Sequence, residues 1–348
     1  MAFLELYFPP IFLVGFAFLS AWLAAYGVAV SAKRLGLIDS PGHRASHSTP
    51  TPTGGGIGIA LGASIVMAWL GITSGTEGFL LIAAACLGLG LALVGWLDDR
   101  KGVSPGVRLL IQSGVVLTLL VIQPLAPLEL PFGINLSGDW LMLAGVLAAL
   151  WWINMFNFMD GIDGLAATQA IFMLGAASLL AWWGQPAVAN DETWIAMLAT
   201  AAAALGFLTL NWPPARVFMG DVGSLFLGFV MAFFALQTIS SGCLGYPAWM
   251  ILGTLFIVDA TVTLLTRLAR GERPHEAHRS HVYQRLARRW GAHRPVTLLY
   301  FGLNVFWIFP LAACTLRWSQ YSGMFVALAY LPLLAASWKL GAGRAEHA

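Results

Sequence analysis

Long apolar runs separated by short polar loops make up most of the chain. A helix needs about 20 mainly apolar residues to cross a bilayer, because its backbone polar groups must be bonded internally in hydrocarbon. Eleven runs fit this pattern, and they cover residues 7–30, 55–73, 79–97, 106–123, 139–156, 164–183, 194–211, 222–240, 247–266, 295–316 and 322–339. The sequence therefore predicts an all-α integral membrane protein, a polytopic bundle of about eleven transmembrane helices.

The composition agrees with a membrane protein. Of 348 residues, 59% are hydrophobic and only 10% are charged, and the mean hydropathy is +0.78. A soluble protein of this size would need a charged shell that these long apolar stretches lack. We therefore treat residues 1–348 as a single transmembrane domain, with one basic loop at 267–295. The net charge of +2 is too small to favour binding to nucleic acid.

Lysine and arginine are confined almost entirely to one predicted side of the membrane. If the loops alternate between the two sides, 17 of the 18 basic residues fall on one side, and only Arg317 falls on the other. Basic residues concentrate in cytoplasmic loops. The N-terminus is therefore predicted to be periplasmic and the C-terminus cytoplasmic.

Five aspartates lie at predicted cytoplasmic helix ends, each near a glycine or another helix breaker: Asp98, Asp99, Asp160, Asp163 and Asp221. Adjacent carboxylates repel one another unless cations compensate. Asp98 and Asp99 could be a solvated pair neutralised by Arg100 and Lys101, or they could serve a metal or act as a base toward phosphate. Mg²⁺ binds one or two carboxylates together with substrate phosphates, so separate acidic loops could meet around a diphosphate.

A second motif follows the fifth predicted helix. Asn154, Asn157, Asp160 and Asp163 recur every three residues, which places polar groups along one side of a helix or its frayed extension. Gly161 allows a ligand to approach the backbone closely. An ordinary loop or a Ca²⁺-like turn is the alternative, but burying four such groups without a function would be costly.

Residues 216–224 form a third motif, which opens the eighth predicted helix with glycine and aspartate. Asp221 could hold a metal ion there, while backbone N–H groups face phosphate oxygens. Phe218 could stack on a base. The simpler alternative is that Asp221 or Ser224 only caps the helix.

Two further segments could bind anions. Residues 51–58 are rich in glycine, including Gly55, and follow a loop with His43, Arg44 and His47. Glycines at a helix start can bind an anion through their N–H groups, or they can simply allow close helix packing. In the basic loop, His278 and His281 could contact phosphate, but the segment could equally be a basic helix that touches anionic lipid.

Taken in order, these segments resemble the polyprenyl-phosphate N-acetylhexosamine-1-phosphate transferase superfamily, bacterial glycosyltransferase family 4. The similarity spans about residues 30 to 290. It includes a Thr-Pro-Thr-Gly-Gly-Gly start, an Asp-Asp pair, an Asn-x-x-Asp-Gly-x-Asp-Gly segment, a Phe-Met-Gly-Asp-x-Gly-Ser segment and a histidine loop.

The resemblance implies a role for each matched position. Asp221 would be the Mg²⁺ ligand, assisted by Asp99, and Phe218 would pack on uracil. Asp98 would activate the prenyl phosphate as a base. The implied catalytic residues are Asp98, Asp99, Asp160 and Asp163, and the implied substrate-binding residues are Asn154, Asn157, Phe218, Arg108, His278, His281 and Gly55.

The histidine motif departs from the family pattern. Where the family commonly has a central histidine, this chain has Ser280, between His278 and His281. The form of this loop, together with His43 and Arg44, resembles the branch that serves O-antigen and related surface glycans more than the peptidoglycan branch.

The reaction implied is transfer of a sugar-1-phosphate from a UDP-N-acetylhexosamine to undecaprenyl phosphate, with release of UMP. Mg²⁺ would be the cofactor, with Mn²⁺ as its alternative, and the site would face the cytoplasm from a bacterial inner membrane. A homodimer is left open. The rival functions are a secondary transporter, a CDP-alcohol phosphotransferase and the peptidoglycan-branch phospho-MurNAc-pentapeptide transferase.

Overall fold

A helix forms at each predicted apolar run in the computed structural model, which describes residues 9–39, 49–125, 127–130, 134–272 and 278–344. The helices are α1 (Pro10–Leu35), α2 (Ile57–Thr73), α3 (Phe79–Lys101), α4 (Pro105–Ile122), α5 (Gly138–Phe158), α6 (Leu165–Gly184), α7 (Glu192–Asn211), α8 (Gly220–Ser240), α9 (Tyr246–Leu252), α10 (Thr254–Ala269), α11 (Val282–Trp290), α12 (Arg294–Leu303), α13 (Phe309–Arg317) and α14 (Ser322–Lys339). The prediction of an all-α polytopic membrane protein is confirmed.

The eleven predicted runs differ in how they cross the membrane. Within the described ranges, nine helical segments are long and apolar enough to span it, and ten if α9 and α10 form one broken span bent by 71°. The α2 helix has 17 residues, which is short for a full span. A π-helical turn, Asn304–Ile308, joins α12 and α13 into one segment. On which side of the membrane each terminus lies stays a prediction.

Two short antiparallel hairpins were predicted only as loops. In the first, β1 (Ile38–Asp39) pairs with β2 (Thr51–Pro52) between α1 and α2. In the second, β3 (Leu128–Leu130) pairs with β4 (Ile134–Leu136) between α4 and α5. The first hairpin matters for function, because it holds the end of α1 beside the glycine-rich start of α2.

The core is built around α6, α7 and α8, which are the most buried of the spans. The α8 helix packs against α3 and α5, while α1 packs against α7 and α2. Large apolar side chains on the peripheral helices are exposed, among them Ile11, Leu110 and Leu331. Lipid tails are as apolar as these side chains, so such exposure is expected for a bundle surrounded by membrane.

The predicted basic loop at 267–295 contains a helix. The α11 helix has buried apolar residues on one side, including Val282 and Leu286, and arginines near its end. It stops at Gly291, which adopts a left-handed conformation. Residues 273–277 of this loop lie outside the described residues.

Candidate active site

A cavity of about 290 Å³ lies where the ends of α3, α5 and α7 meet the starts of α6 and α8. Its walls are mostly polar, although most of the protein is apolar. It is lined by Asp39, Thr53, Asp99, Asn157, Asp160, Gly161, Ile162, Asp163, Asn211, Phe218, Met219, Gly220, Asp221, Gln284 and His293. The structure therefore brings together six of the predicted site residues: Asp99, Asn157, Asp160, Asp163, Phe218 and Asp221.

The start of α8 is joined directly to the end of α3. The backbone N–H of Asp221 donates to Asp99 Oδ1 at 3.1 Å. Gly220, with φ +71°, opens the helix, and a side chain at this position would collide with the Asp99 carboxylate. A carboxylate beside the first N–H groups of a helix is stabilised by those N–H groups and by the helix dipole. This geometry explains why glycine precedes the aspartate in this motif.

Arg108 links two of the predicted carboxylates. Its Nη1 lies 2.6 Å from Asp98 Oδ2 and 3.1 Å from Asp221 Oδ2. The other Asp98 oxygen accepts the backbone N–H of Val103 at 2.7 Å. Both oxygens of Asp98 are therefore engaged within the protein, and Asp98 does not line the cavity. Its assignment as a base stays a prediction.

The polar stripe on α5 divides into two parts. Asn157 Nδ2 donates to Asp221 Oδ1 at 2.7 Å and to Ser224 Oγ at 2.9 Å, which orients the carboxylate at the cavity wall. Asn154 Nδ2 instead donates to Gln112 Oε1 at 2.7 Å. Asn154 thus joins α5 to α4 and does not line the cavity.

Asp163 connects three segments of the chain. Its Oδ1 lies 3.1 Å from His293 Nδ1, and its Oδ2 accepts the backbone N–H of Ala215 at 3.0 Å. Its backbone carbonyl accepts the hydroxyl of Thr297 at 2.9 Å. Asp163 therefore holds the start of α6 against the α7–α8 connection and the start of α12.

Asp160 is the carboxylate with the least internal compensation. Burial raises the pKa of Asp160 well above its usual range, and the negative charges of Asp221, Asp99 and Asp163 raise it further. Within the part of the chain that the structure describes, its side chain has no hydrogen bond or ion pair. A divalent cation in the cavity would offset this excess negative charge.

The carboxylates around the cavity do not form a closed metal cage. Among the described residues, no three His, Cys, Asp or Glu side chains are grouped as a ready-made metal site. Mg²⁺ does not require one, because it usually keeps several waters and binds one or two carboxylates plus substrate phosphates. Asp99 and Asp221, whose helices meet at the cavity, therefore have the chemistry for a Mg²⁺ ion that arrives with a phosphate-bearing substrate.

The glycine-rich segment packs beneath Phe218. The Phe218 N–H donates to the Pro52 carbonyl at 2.8 Å, and the Gly55 N–H donates to the Phe218 carbonyl at 2.9 Å. A side chain at Gly55 would meet Val217 at 2.7 Å. The Gly55 amide is thus used inside the protein, while the half-buried Phe218 ring borders the cavity. Substrate binding by either residue stays a prediction.

The two predicted histidines lie elsewhere. His281 is 4% exposed, and its Nδ1 lies 3.3 Å from Asp259 Oδ1. His278 Nδ1 lies 3.0 Å from Ser280 Oγ. Neither histidine lines the carboxylate cavity. The residues His43, Arg44 and His47 lie outside the described residues.

Four cavity residues were missed by the sequence analysis, namely Asp39, Asn211, Gln284 and His293, whereas Thr53 belongs to the predicted glycine-rich segment 51–58. Asn211 could have been found, because it is a polar residue at the end of an apolar helix, as Asn157 is. Its Oδ1 accepts the Gly164 N–H at 2.9 Å, and its Nδ2 donates to the Val217 carbonyl at 2.9 Å. Asp39, Gln284 and His293 carry no such signal, because chain folding alone brings them to the cavity.

Comparison with known proteins places this architecture in a family. The family model described as glycosyl transferase family 4 matches residues 79–239, from the start of α3 nearly to the end of α8. An undecaprenyl-phosphate alpha-N-acetylglucosaminyl 1-phosphate transferase of Yersinia pestis is 32% identical over 297 residues, which cover 80% of this chain and 75% of the relative. The protein of the same name in Escherichia coli (strain K12) is 30% identical over 275 residues, covering 74% and 71%.

A relative with a different name covers less of the chain. A phospho-N-acetylmuramoyl-pentapeptide-transferase of Acaryochloris marina is 37% identical over 232 residues, which cover 60% of this chain and 58% of the relative. The region matched by the family model contains both Asp99 and Asp221, whose helices meet at the cavity. From these similarities, the chain belongs to glycosyl transferase family 4, within the polyprenyl-phosphate hexosamine-1-phosphate transferase superfamily.

Proposed function

We propose that this protein transfers an N-acetylhexosamine-1-phosphate from a UDP-sugar to undecaprenyl phosphate in a Mg²⁺-dependent reaction. The observation that carries the proposal is the cavity in which Asp99, Asp160, Asp163 and Asp221 converge at the ends of membrane-spanning helices. Such a site suits a reaction between a lipid phosphate and a water-soluble diphosphate. The names of two relatives specify undecaprenyl phosphate and an N-acetylglucosaminyl 1-phosphate group, which supports the acceptor and the transferred group.

The reaction exchanges one phosphorus–oxygen bond for another. An oxygen of the prenyl phosphate attacks the β-phosphorus of the UDP-sugar. The bond between that phosphorus and the oxygen bridging to the α-phosphate breaks, and UMP leaves with the bridging oxygen. The product is a prenyl-diphosphate-linked sugar. Two anions must approach one another, so charge neutralisation and orientation are the main tasks of the protein.

The donor would occupy the cavity with its uracil against Phe218 and its diphosphate toward the start of α8. Asp221 and Asp99 would hold Mg²⁺, with Asp160 close by, and the ion when bound would neutralise the diphosphate and stabilise the leaving phosphate. Asn157 keeps the Asp221 carboxylate oriented, since it donates to Oδ1. Asp163 would order the far wall through its contact with His293.

The acceptor phosphate would enter from the lipid side, near Arg108. The Arg108 guanidinium already lies between Asp98 and Asp221, so a phosphate oxygen arriving there would meet positive charge beside the carboxylate cavity. Asp98 would act mainly by holding Arg108 in place. If it also accepts a proton from the prenyl phosphate, its bond with Arg108 must loosen during the reaction.

The finer assignment concerns the sugar and the pathway. We infer N-acetylglucosamine as the first sugar to test, because two relatives that cover about three quarters of this chain carry it in their names. The loop around Ser280 supports a role in starting a surface glycan such as O-antigen. The concentration of basic residues on one predicted side supports a cytoplasmic site in the inner membrane of a bacterium.

The test is release of UMP by detergent-purified protein. The assay contains undecaprenyl phosphate, Mg²⁺ and, separately, UDP-GlcNAc, UDP-GalNAc, UDP-FucNAc or UDP-MurNAc-pentapeptide, and each reaction is repeated with EDTA. We expect lipid-dependent release from one N-acetylhexosamine donor and none in EDTA. Release from the pentapeptide donor alone would assign the peptidoglycan reaction instead.

A transporter is the rival outside the enzyme class. It predicts uptake of a solute into proteoliposomes driven by an ion gradient, without any UMP release. Ion-coupled sites usually lie near the bilayer midplane, whereas the cavity described above lies at helix ends. A folded sample that releases no UMP from any of the four donors would refute the proposed reaction.

A further inference from the structure

Asp259 is a buried carboxylate that the proposed reaction does not use. It lies in α10, is 2% exposed and does not line the carboxylate cavity. The backbone N–H groups of Val282 and Tyr283 donate to it at 2.9 and 3.1 Å, and the Tyr300 hydroxyl donates to it at 3.0 Å. With His281 Nδ1 at 3.3 Å, these residues form what we call the Asp259 cluster: Asp259, His281, Tyr283 and Tyr300.

The Asp259 cluster fixes the start of α11. A helix begins with unpaired N–H groups, and a carboxylate that accepts them stabilises that end. The α11 helix has only nine residues, and a helix of this length is marginal by itself in water. Its position therefore depends on contacts such as the one between Asp259 and the N–H groups of Val282 and Tyr283.

Tyr283 connects the start of α11 to the turn beside the carboxylate cavity. Its side chain is completely buried, and its hydroxyl donates at 2.9 Å to the carbonyl of Phe158, the last residue of α5. The same hydroxyl lies directly against Gly161, where a side chain would collide with it. Burial raises the pKa of Tyr283 well above its usual range, with the charges of Asp259 and Asp160 adding to the effect, so the hydroxyl stays a donor.

His281 packs inside this cluster. Its ring lies between those of His278 and Tyr283, with centroids 4.9 and 5.5 Å away. It is nearly inaccessible, and its Nδ1 faces Asp259. A substrate could not reach this ring without displacing α11.

We propose that Asp259, His281 and Tyr283 are positioning residues, which hold the turn carrying Asp160 and Asp163 in its working geometry. His281 acts through Asp259 and does not touch substrate. The kinetic part of this inference rests on the proposed function, because it concerns the residues of that cavity. The structural part is testable without turnover.

The first experiment changes one hydroxyl. Tyr283→Phe removes the bond to the Phe158 carbonyl and keeps the ring. We expect amide hydrogen exchange in residues 159–165 to rise about fivefold, and kcat to fall about five- to tenfold with little change in KM, as for one lost hydrogen bond. Tyr330→Phe is the matched control, because the Tyr330 hydroxyl donates to the Met250 carbonyl at 3.0 Å, away from the cavity. The control should change neither quantity.

The second experiment tests how His281 acts. If it acts only through Asp259, the double variant Asp259→Asn with His281→Asn should be no slower than Asp259→Asn alone, within about twofold. If His281 contacts substrate, the two losses should multiply. Multiplicative losses would overturn the positioning role of His281.

The two readouts separate this inference from the proposed function. If the wild-type protein releases UMP but Tyr283→Phe changes neither kcat nor exchange in residues 159–165, the positioning role is refuted and the function stands. If the wild-type protein releases no UMP, the function is refuted, and exchange in Tyr283→Phe still decides whether Tyr283 orders the turn.

Discussion

The carboxylate cavity and the Asp259 cluster use the same chemical group in opposite ways. Asp259 accepts two backbone N–H groups and a tyrosine hydroxyl, so its charge is compensated within the protein. Asp160 has no such partner among the described residues; burial raises its pKa, and the charges of neighbouring carboxylates raise it further. Both are aspartates within an apolar chain. We infer that the partners of a buried carboxylate, more than its place in the sequence, separate the binding role proposed for Asp160 from the structural role proposed for Asp259.

The largest expected effect concerns Asp221 in the carboxylate cavity. Asp221→Asn keeps the shape of the side chain and an oxygen for Asn157, but removes a negative charge from the proposed Mg²⁺ site. We expect UMP release to fall by about 10³-fold with no change in thermal stability. Asp139→Asn, at the opposite end of α5, should retain wild-type activity. Wild-type turnover in Asp221→Asn would remove Asp221 from the site.

A somewhat smaller effect is expected at Arg108, the cation paired with Asp98 and Asp221. Arg108→Ala leaves the carboxylates of Asp98 and Asp221 without their shared guanidinium, and it removes a positive charge that would meet phosphate. Turnover should fall by about 10²-fold, measured as UMP release at saturating donor. Arg100→Ala is the control, because Arg100 stacks on Trp96 and is exposed. Equal losses in the two variants would argue for a general effect of charge.

The third expected effect arises at Gly161, where the carboxylate cavity and the Asp259 cluster touch. Gly161→Ala places a methyl group against the Tyr283 hydroxyl, so the turn carrying Asp160 and Asp163 must shift. We expect about a tenfold loss of activity and a lower Tm. The loss should be smaller when Gly161→Ala is made in a Tyr283→Phe background, because the clashing oxygen is gone. Gly90→Ala, where α3 has open space, should behave like the wild type. Equal losses in both backgrounds would contradict this contact.

The smallest expected effect is a pH dependence of stability next to the Asp259 cluster. Burial lowers the pKa of His278 from 6.5 to about 4, and the positive charges of His281 and Arg267 contribute. Protonation of His278 therefore favours the unfolded state. Its contribution to stability is fully present above pH 6.5, is lost as the pH falls toward about 4, and changes little below that value.

This pH dependence can be measured as the Tm of detergent-purified protein at pH 7 and pH 4.5. The decrease between the two values should be smaller in His278→Gln than in the wild type. An identical decrease in both proteins would show that His278 does not contribute.

Much of the fold follows from local patterns. Each of the eleven apolar runs corresponds to helical structure, because backbone groups in hydrocarbon must be paired within the segment. The hairpin between β1 and β2 was missed, since strands of two residues are too short to show an alternating pattern. The 71° bend between α9 and α10 was also missed, because it depends on tertiary packing and not on composition.

The candidate active site was predictable where polar residues interrupt apolar helices. Asp99, Asn157 and Asp221 stand out for this reason, and the structure brings them to one cavity. The direction in which a side chain points could not be predicted from these interruptions, because it depends on tertiary packing. His281 was predicted to contact phosphate, yet its Nδ1 faces Asp259, and this depends on how α11 packs against α10. His293 was missed because it becomes a partner of Asp163 only once α12 is in place.

The bond between the Thr297 hydroxyl and the Asp163 carbonyl has a consequence for biosynthesis. The turn carrying Asp160 and Asp163 leaves the ribosome long before α12 does. Its hydrogen bond to Thr297 can therefore form only after most of the polypeptide has entered the membrane. A nascent chain truncated between α8 and α11 would carry the five motif aspartates but would lack Tyr283, His293 and Thr297. Such an intermediate should be inserted and yet unable to work, which would delay the onset of lipid modification until translation is nearly complete.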